Sequence, residues 1–182
     1  MTTLKSYKGI SPDIGENVYI DTSAILVGQV AIGEDSSIWP FVSARGDVNS
    51  ISIGRRSNIQ DASVLHVTHK SEKNPEGFPL IIGDDVTIGH KVMLHGCVIQ
   101  DRVLVGMSAI VLDGVTIEHD VMIGAGSLVP PNKVLKSGYL YVGSPVKQVR
   151  LLTNDERAFL KKSASNYVET KNNYLLEMKP VI

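Results

Sequence analysis

Aliphatic residues recur at every sixth position along most of this chain, at Ile14, Ile20, Leu26, Ile32, Ile38 and Ala44, then after an offset of three at Ile53, Ile59 and Leu65. The series resumes at Ile82, Ile88 and Leu94, slips by one to Ile99, and runs on through Val105, Val111, Ile117, Ile123 and Val129. The residue after the aliphatic is often glycine, as at Gly33, Gly54, Gly83 and Gly106. Two positions before it sit small residues or valines, among them Ala24, Val30, Ser57, Val92 and Val121. A period of six is neither helical nor a plain strand alternation. It describes a short strand that sends one aliphatic inward, followed by a tight corner where a small side chain removes steric conflict. Three strands and three corners close a triangular coil of about 18 residues, repeated as a solenoid.

This pattern resembles the hexapeptide-repeat family, and the resemblance implies an all-β fold: a left-handed parallel β-helix of hexapeptide repeats, about seven coils over roughly residues 12 to 135, with a C-terminal α-helix. The expected division is a β-helix metal-binding domain over 1–150 and a helical segment over 151–182. In that segment Thr153 and Glu156 form a capping-box signature, and Leu160, Ala164, Tyr167, Val168, Tyr174 and Leu175 mark an apolar stripe. A helix of about 20 residues is marginal alone in water, so the stripe is expected to pack along the prism.

Three histidines stand out, in "NIQDASVLHVTHK" and "GHKVMLHG". His66 follows Leu65 and His95 follows Leu94, the same phase of the repeat. If the polar stretch "VTHKSEKNPEGFP" is a loop extruded within one coil, His66 and His95 stack on adjacent coils, about one strand spacing of ~4.8 Å apart. That separation lets two imidazoles meet one metal ion at ~2.0–2.1 Å from each nitrogen. His90 lies two residues after Ile88, at a different corner, and reaches such an ion only from a neighbouring subunit. A homotrimer of parallel prisms with one metal site per interface closes the geometry. His69, in the polar insert, and His119, two residues after Ile117, lack a phased partner. A lone histidine reads as an ordinary polar corner residue; the phase match is what favours ligands.

Before the first histidine, "ARGDVNS" and "RRSNIQDASVLH" are expected to place Arg45, Asp47, Asn58, Gln60 and Asp61 near the same face, with Arg45 and Gln60 at the phase of the histidines. The charged residues read either as a salt-bridge network at the trimer interface or as part of a pocket. Gln60 reads either as a structural hydrogen-bonder or as an uncharged amide that orients a substrate without competing as a ligand. The motifs "RGD", "NIQDASVLH" and "GHKVMLHG" resemble those of γ-class carbonic anhydrases, and the fit from about residue 10 to 150 resembles the short bacterial YrdA-type subgroup. The resemblance implies metal ligation by His66 and His95 of one subunit and His90 of the next. It also implies Arg45, Asp47 and Asp61 as interface and pocket charges, and Asn58 and Gln60 as pocket hydrogen-bonders. Two departures concern proton return. Val48 stands where the archaeal prototype has a glutamate, and the insert is short, carrying His69, Glu72 and Glu76.

Three neutral imidazoles with an open position are the ligand set of catalytic zinc sites, and they also suit Fe2+, Co2+ or Ni2+. The expected activity is the reversible hydration of carbon dioxide to bicarbonate, with Gln60 aligning the nucleophile and bicarbonate leaving toward Arg45. A hexapeptide-repeat acyltransferase with a groove for coenzyme A, or a metal-binding scaffold without catalysis, would use the same prism. An acyltransferase needs only one histidine. The formal net charge of −1 gives no basic field for nucleic acid and no polybasic patch for a membrane. The single cysteine, Cys97, suits a reducing compartment, the cytoplasm.

Overall fold

The computed structural model describes residues 3–177, so the last five positions of the expected helical segment, 178–182, lie outside the described residues. Short parallel strands stack into a triangular prism. A first face carries the inward residues Leu26, Ala44, Leu65, Leu94, Val111 and Val129. It joins a second face, carrying Ile32, Ile53, Ile82, Ile99, Ile117 and Leu135, through the long bent strands Ile25–Ile32 and Ser43–Ile53. The third face is a separate sheet with Ile38, Ile59, Ile88, Val105, Ile123 and Tyr141 inside. From Leu26 onward every inward aliphatic of the sixfold series is buried, so the interior is a filled hydrocarbon column. Each inward isoleucine or leucine contributes about 1.5–3 kcal/mol on burial.

The corners show what the small residues do. Gly33 has no positive φ; a Cβ there would lie 2.7 Å from the carbonyl carbon of Gly54 in the next coil. The repeat glycines therefore answer close coil stacking, while the left-handed turn residue comes two positions later and is usually not glycine, as at Asp35, Arg56, Asp85 and Arg102. Buried corner serines are satisfied by the coil above: Ser57 Oγ donates to Gly83 O at 2.8 Å and Ser63 Oγ to Gly89 O at 3.0 Å.

All three breaks in the period fall at the corner between the first and second faces. The offset after Ala44 is absorbed by extra residues in the strand Ser43–Ile53. The insert after Leu65 folds outward as a loop held by the Thr68 and Phe78 bridge, and the slip after Leu94 is a shortened turn at Gly96. At the far end, Tyr139–Gly143 and Val146–Leu151 form an antiparallel hairpin on the third face.

The helix Asn154–Glu177 packs against the lower third face. Its capping box is formed, with Glu156 N donating to Thr153 Oγ1 at 3.2 Å and Thr153 N to Glu156 Oε2 at 2.9 Å. Leu160 and Ala164 are buried, and Tyr167 and Tyr174 stack on Trp39, but Leu175 is exposed. Beyond the aromatic pair the contact is completed by Lys171, fully buried, whose Nζ donates to Asp35 Oδ1 at 2.7 Å.

Candidate metal centre

Parallel pairing of Val64–His66 with Met93–His95 sets His66 opposite His95, because the insert between them leaves and re-enters within one coil. The two rings stand 5.1 Å apart by centroid, with His66 Nδ1 and His95 Nε2 3.0 Å from each other. Each ring's remote nitrogen rests on a carboxylate. His66 Nε2 is 3.1 Å from Asp47 Oδ1, and His95 Nδ1 is 2.6 Å from Asp113 Oδ1.

A carboxylate accepts, so these contacts place the protons on His66 Nε2 and His95 Nδ1. The facing nitrogens then carry two opposed lone pairs, which a metal ion between them, or a proton shared between the rings, reconciles. Two nitrogens on a tetrahedral zinc ion stand roughly 3.4 Å apart, given bonds of ~2.0–2.1 Å, so the pair suits a metal with slight opening. Carboxylate-anchored imidazoles are also the usual support of metal-ligating histidines.

Asp47 sits in the first period break. Burial pushes its carboxyl up, but hydrogen bonds from Arg45 Nη1 and His66 outweigh that and hold it below the ordinary carboxylate range. Arg45 is half exposed beside it.

His90 stands at the other edge of the first face, where the third face turns into it, and Asp61 Oδ2 lies 2.9 Å from its Nδ1. Among the described residues, no three His, Cys, Asp or Glu side chains of one chain are grouped to hold a metal ion. The single chain therefore brings two histidines together at one corner and sets a third at another. Between them the first face exposes Ile25, Val64, Met93 and Ile110 in a column.

The polar neighbours divide in the same way. Arg45 and Asp47 lie with His66, whereas Asn58, Gln60 and Asp61 lie with His90, so the expectation of one shared face gives way to two groups. Phase within the repeat is the same on all three faces; as the third strand of its coil, Ile59 carries Gln60 onto the third face beside Ile88. Gln60 Nε2 donates to Asn58 Oδ1 at 3.1 Å, and Asn58 Nδ2 donates to Thr87 Oγ1 at 3.1 Å. Gln60 and His90 border a groove of about 370 Å³ walled by Leu104, Met107 and Met122. His69 is exposed on the insert, and Val48 is 44% exposed.

Asp113 was not visible as a site residue. Its signal is one coil further along, since Val111 pairs with Leu94 and Asp113 follows Val111 by two.

A bacterial transferase hexapeptide (six repeats) family model matches residues 96–131. Protein YrdA of Escherichia coli (strain K12) is 60% identical over 172 residues, 94% of each chain. The carbonic anhydrase of Geobacillus kaustophilus is 43% identical over 168 residues, covering 92% of this chain and 88% of that one. This chain belongs to the γ-carbonic anhydrase-like family, in its YrdA-type branch. The crystal structure of a hexapeptide transferase family protein from Anaplasma phagocytophilum is similar to this chain at a TM-score of 0.88 and 38% identity, covering 94% of this chain and 98% of that one. No helix among the described residues is long and apolar enough to cross a membrane.

Proposed function

We propose that this protein catalyses the metal-dependent, reversible hydration of carbon dioxide at a three-histidine site completed between subunits of a homotrimer. The observation that carries the reading is the facing pair His66 Nδ1 and His95 Nε2, 3.0 Å apart, each ring anchored behind by a carboxylate. His66 and His95 of one subunit and His90 of the next would hold Zn2+, or Fe2+ or Co2+. When bound, such an ion supplies Lewis acidity that moves the ionisation of water from ~15.7 to about 7.

This chain's own residues position and exclude. Asn58 takes one amide hydrogen of Gln60, which aims the side chain and leaves Gln60 Oε1 to accept from the attacking oxygen's remaining proton. Leu104, Met107 and Met122 offer an apolar wall beside His90 for carbon dioxide, which has no net dipole. Arg45, half exposed, draws bicarbonate outward. Proton return is the weak step, because Val48 brings no carboxylate and His69 projects from an exposed loop. The buried, unpaired Cys97 fits a cytoplasmic protein.

The test is stopped-flow hydration on protein purified anaerobically and loaded with zinc or iron, with metal content measured. Activity should be modest, rise as pH passes about 7, and increase with imidazole buffer, which replaces a shuttle. Gln60→Ala should lower activity and respond little to buffer. No hydration above background at any buffer concentration would leave acyl transfer or a metal-bound scaffold in its place.

A further inference from the structure

The three period breaks at the first corner are tied to one another. Asp47 in the first break anchors His66, and Asn49 two residues on donates from Nδ2 to Thr68 O at 3.0 Å and Glu76 O at 2.9 Å, clasping both ends of the insert. Thr68, so held, donates from Oγ1 to Asp113 Oδ2 at 2.8 Å, and Asp113 Oδ1 accepts from His95 Nδ1 at 2.6 Å. At the third break, Gly96 takes φ +52°, and a Cβ there would lie 2.5 Å from Asp113 Oδ1 and 2.6 Å from Phe78 Cβ. Every irregularity in the repeat thus bears on the orientation of one imidazole.

We infer that Thr68 and Asp113 are a positioning pair that holds His95 as its Nδ1–H tautomer, turning the Nε2 lone pair toward His66, with Asn49 anchoring the insert that brings Thr68. A carboxylate with one partner can rotate; Thr68 occupies Oδ2 and leaves Oδ1 for the imidazole. Without Asp113, nothing holds the proton on Nδ1, and the ring reverts to the Nε2–H form that a neutral histidine side chain in water prefers. That form places a hydrogen where a metal ligand needs a lone pair. The inference deepens the proposed hydration site and rests on its metal-binding half.

The test measures two quantities that do not depend on turnover: the tautomer of His95 in metal-free protein, from ring nitrogen NMR, and zinc affinity, by competition with a chelator. Asp113→Ala should move His95 toward Nε2–H and weaken zinc 10–100-fold. Asp113→Asn keeps an acceptor oxygen and should restore most of both. Thr68→Val should weaken zinc less, and Thr68→Ser should match the parent, which a merely structural threonine with a buried methyl would not require. Should Asp113→Ala melt early, the Thr68 variants still decide. Parent-like tautomer and zinc affinity in Asp113→Ala and Thr68→Val would overturn the pair. An inactive parent that binds zinc with these same dependencies would instead sink the hydration reading and leave the pair standing.

Discussion

The corner joining the first and second faces is irregular and the corner joining the second and third is regular, and their charges are arranged to different ends. At the second of these, one turn position reads Asp35, Arg56, Asp85, Arg102 and Asp120 in successive coils. Arg56 grips Asp85 through Nε at 2.7 Å and Nη2 at 2.8 Å, and Arg102 grips Asp120 in the same two-pronged way. The charges alternate in sign from coil to coil, Asp35 pairs with Lys171 of the helix, and the period is unbroken there. At the first corner the period breaks three times, and the carboxylates of Asp47 and Asp113 each face an imidazole, with Arg45 on the other oxygen of Asp47. One ladder pairs carboxylates with guanidinium groups; the other ends in two facing ring nitrogens, His66 Nδ1 and His95 Nε2. The breaks in the repeat therefore gather at the His66 and His95 corner, while His90 sits at a corner whose period is unbroken.

The largest expected effect sets histidines from the two corners against each other. His119 also has its Nδ1 on a carboxylate, Asp120 at 2.7 Å, with Ser137 Oγ 3.2 Å from the same nitrogen, yet no second imidazole faces it. Elemental analysis of purified protein should find metal largely lost in His66→Ala, His90→Ala and His95→Ala, and retained in His119→Ala and His69→Ala. Sedimentation of the loaded parent should give a trimer. A monomer holding a full equivalent of metal would show that His90 is not shared across an interface.

The stacking of His66 on His95 is legible in the sequence for a physical reason. Phase within a strand is a one-dimensional property, so the buried aliphatic column and the stacking of His66 on His95 follow from counting residues. What phase alone misses is the face a residue joins, and what no count gives is what a long side chain reaches. Gln60 shares the histidines' phase but lies on the third face, and Asp113 contacts His95 from the coil above. Lys171 fell outside the apolar stripe because a lysine reads as solvated; its ammonium is buried only because Asp35, on a left-handed turn of another coil, lies 2.7 Å away. The capping box at Thr153 and Glu156 was legible because its partners are three residues apart.

The second prediction tests whether the regular corner is structural. Lys171 is wholly buried while Asp35 is 32% exposed, so the two ends of this pair differ in what they lose when separated. Asp35→Asn tolerates the left-handed turn but leaves an uncompensated ammonium, and should cost about 3 kcal/mol in chemical denaturation, the low end for a broken buried pair. Lys171→Met keeps the packing and lets Asp35 reach water, and should fall within about 1 kcal/mol of the parent. Metal content should stay constant in both. Equal losses in the two variants would mean that the pair acts as packing and not as charge.

The smallest effect lies in the ladder itself and has a defined sign with pH. Asp120 is held below the ordinary carboxylate range, first by the hydrogen bond from Arg102, against the opposing push of burial, and further by His119. A carboxylate whose folded pKa lies below its unfolded value of ~3.9 stabilises the fold fully above that value, and the contribution drains away as pH falls through the depressed folded pKa. Arg102→Met removes the main cause. Because Arg102 is 37% exposed, the loss at pH 7 should be no more than about 1 kcal/mol. Urea titrations of metal-free parent and variant should therefore differ slightly at pH 7 and converge below pH 4, as Asp120 takes up a proton in both. A gap that stays constant down to the acid limit would assign the loss to the arginine's methylene packing along the corner and not to its charge.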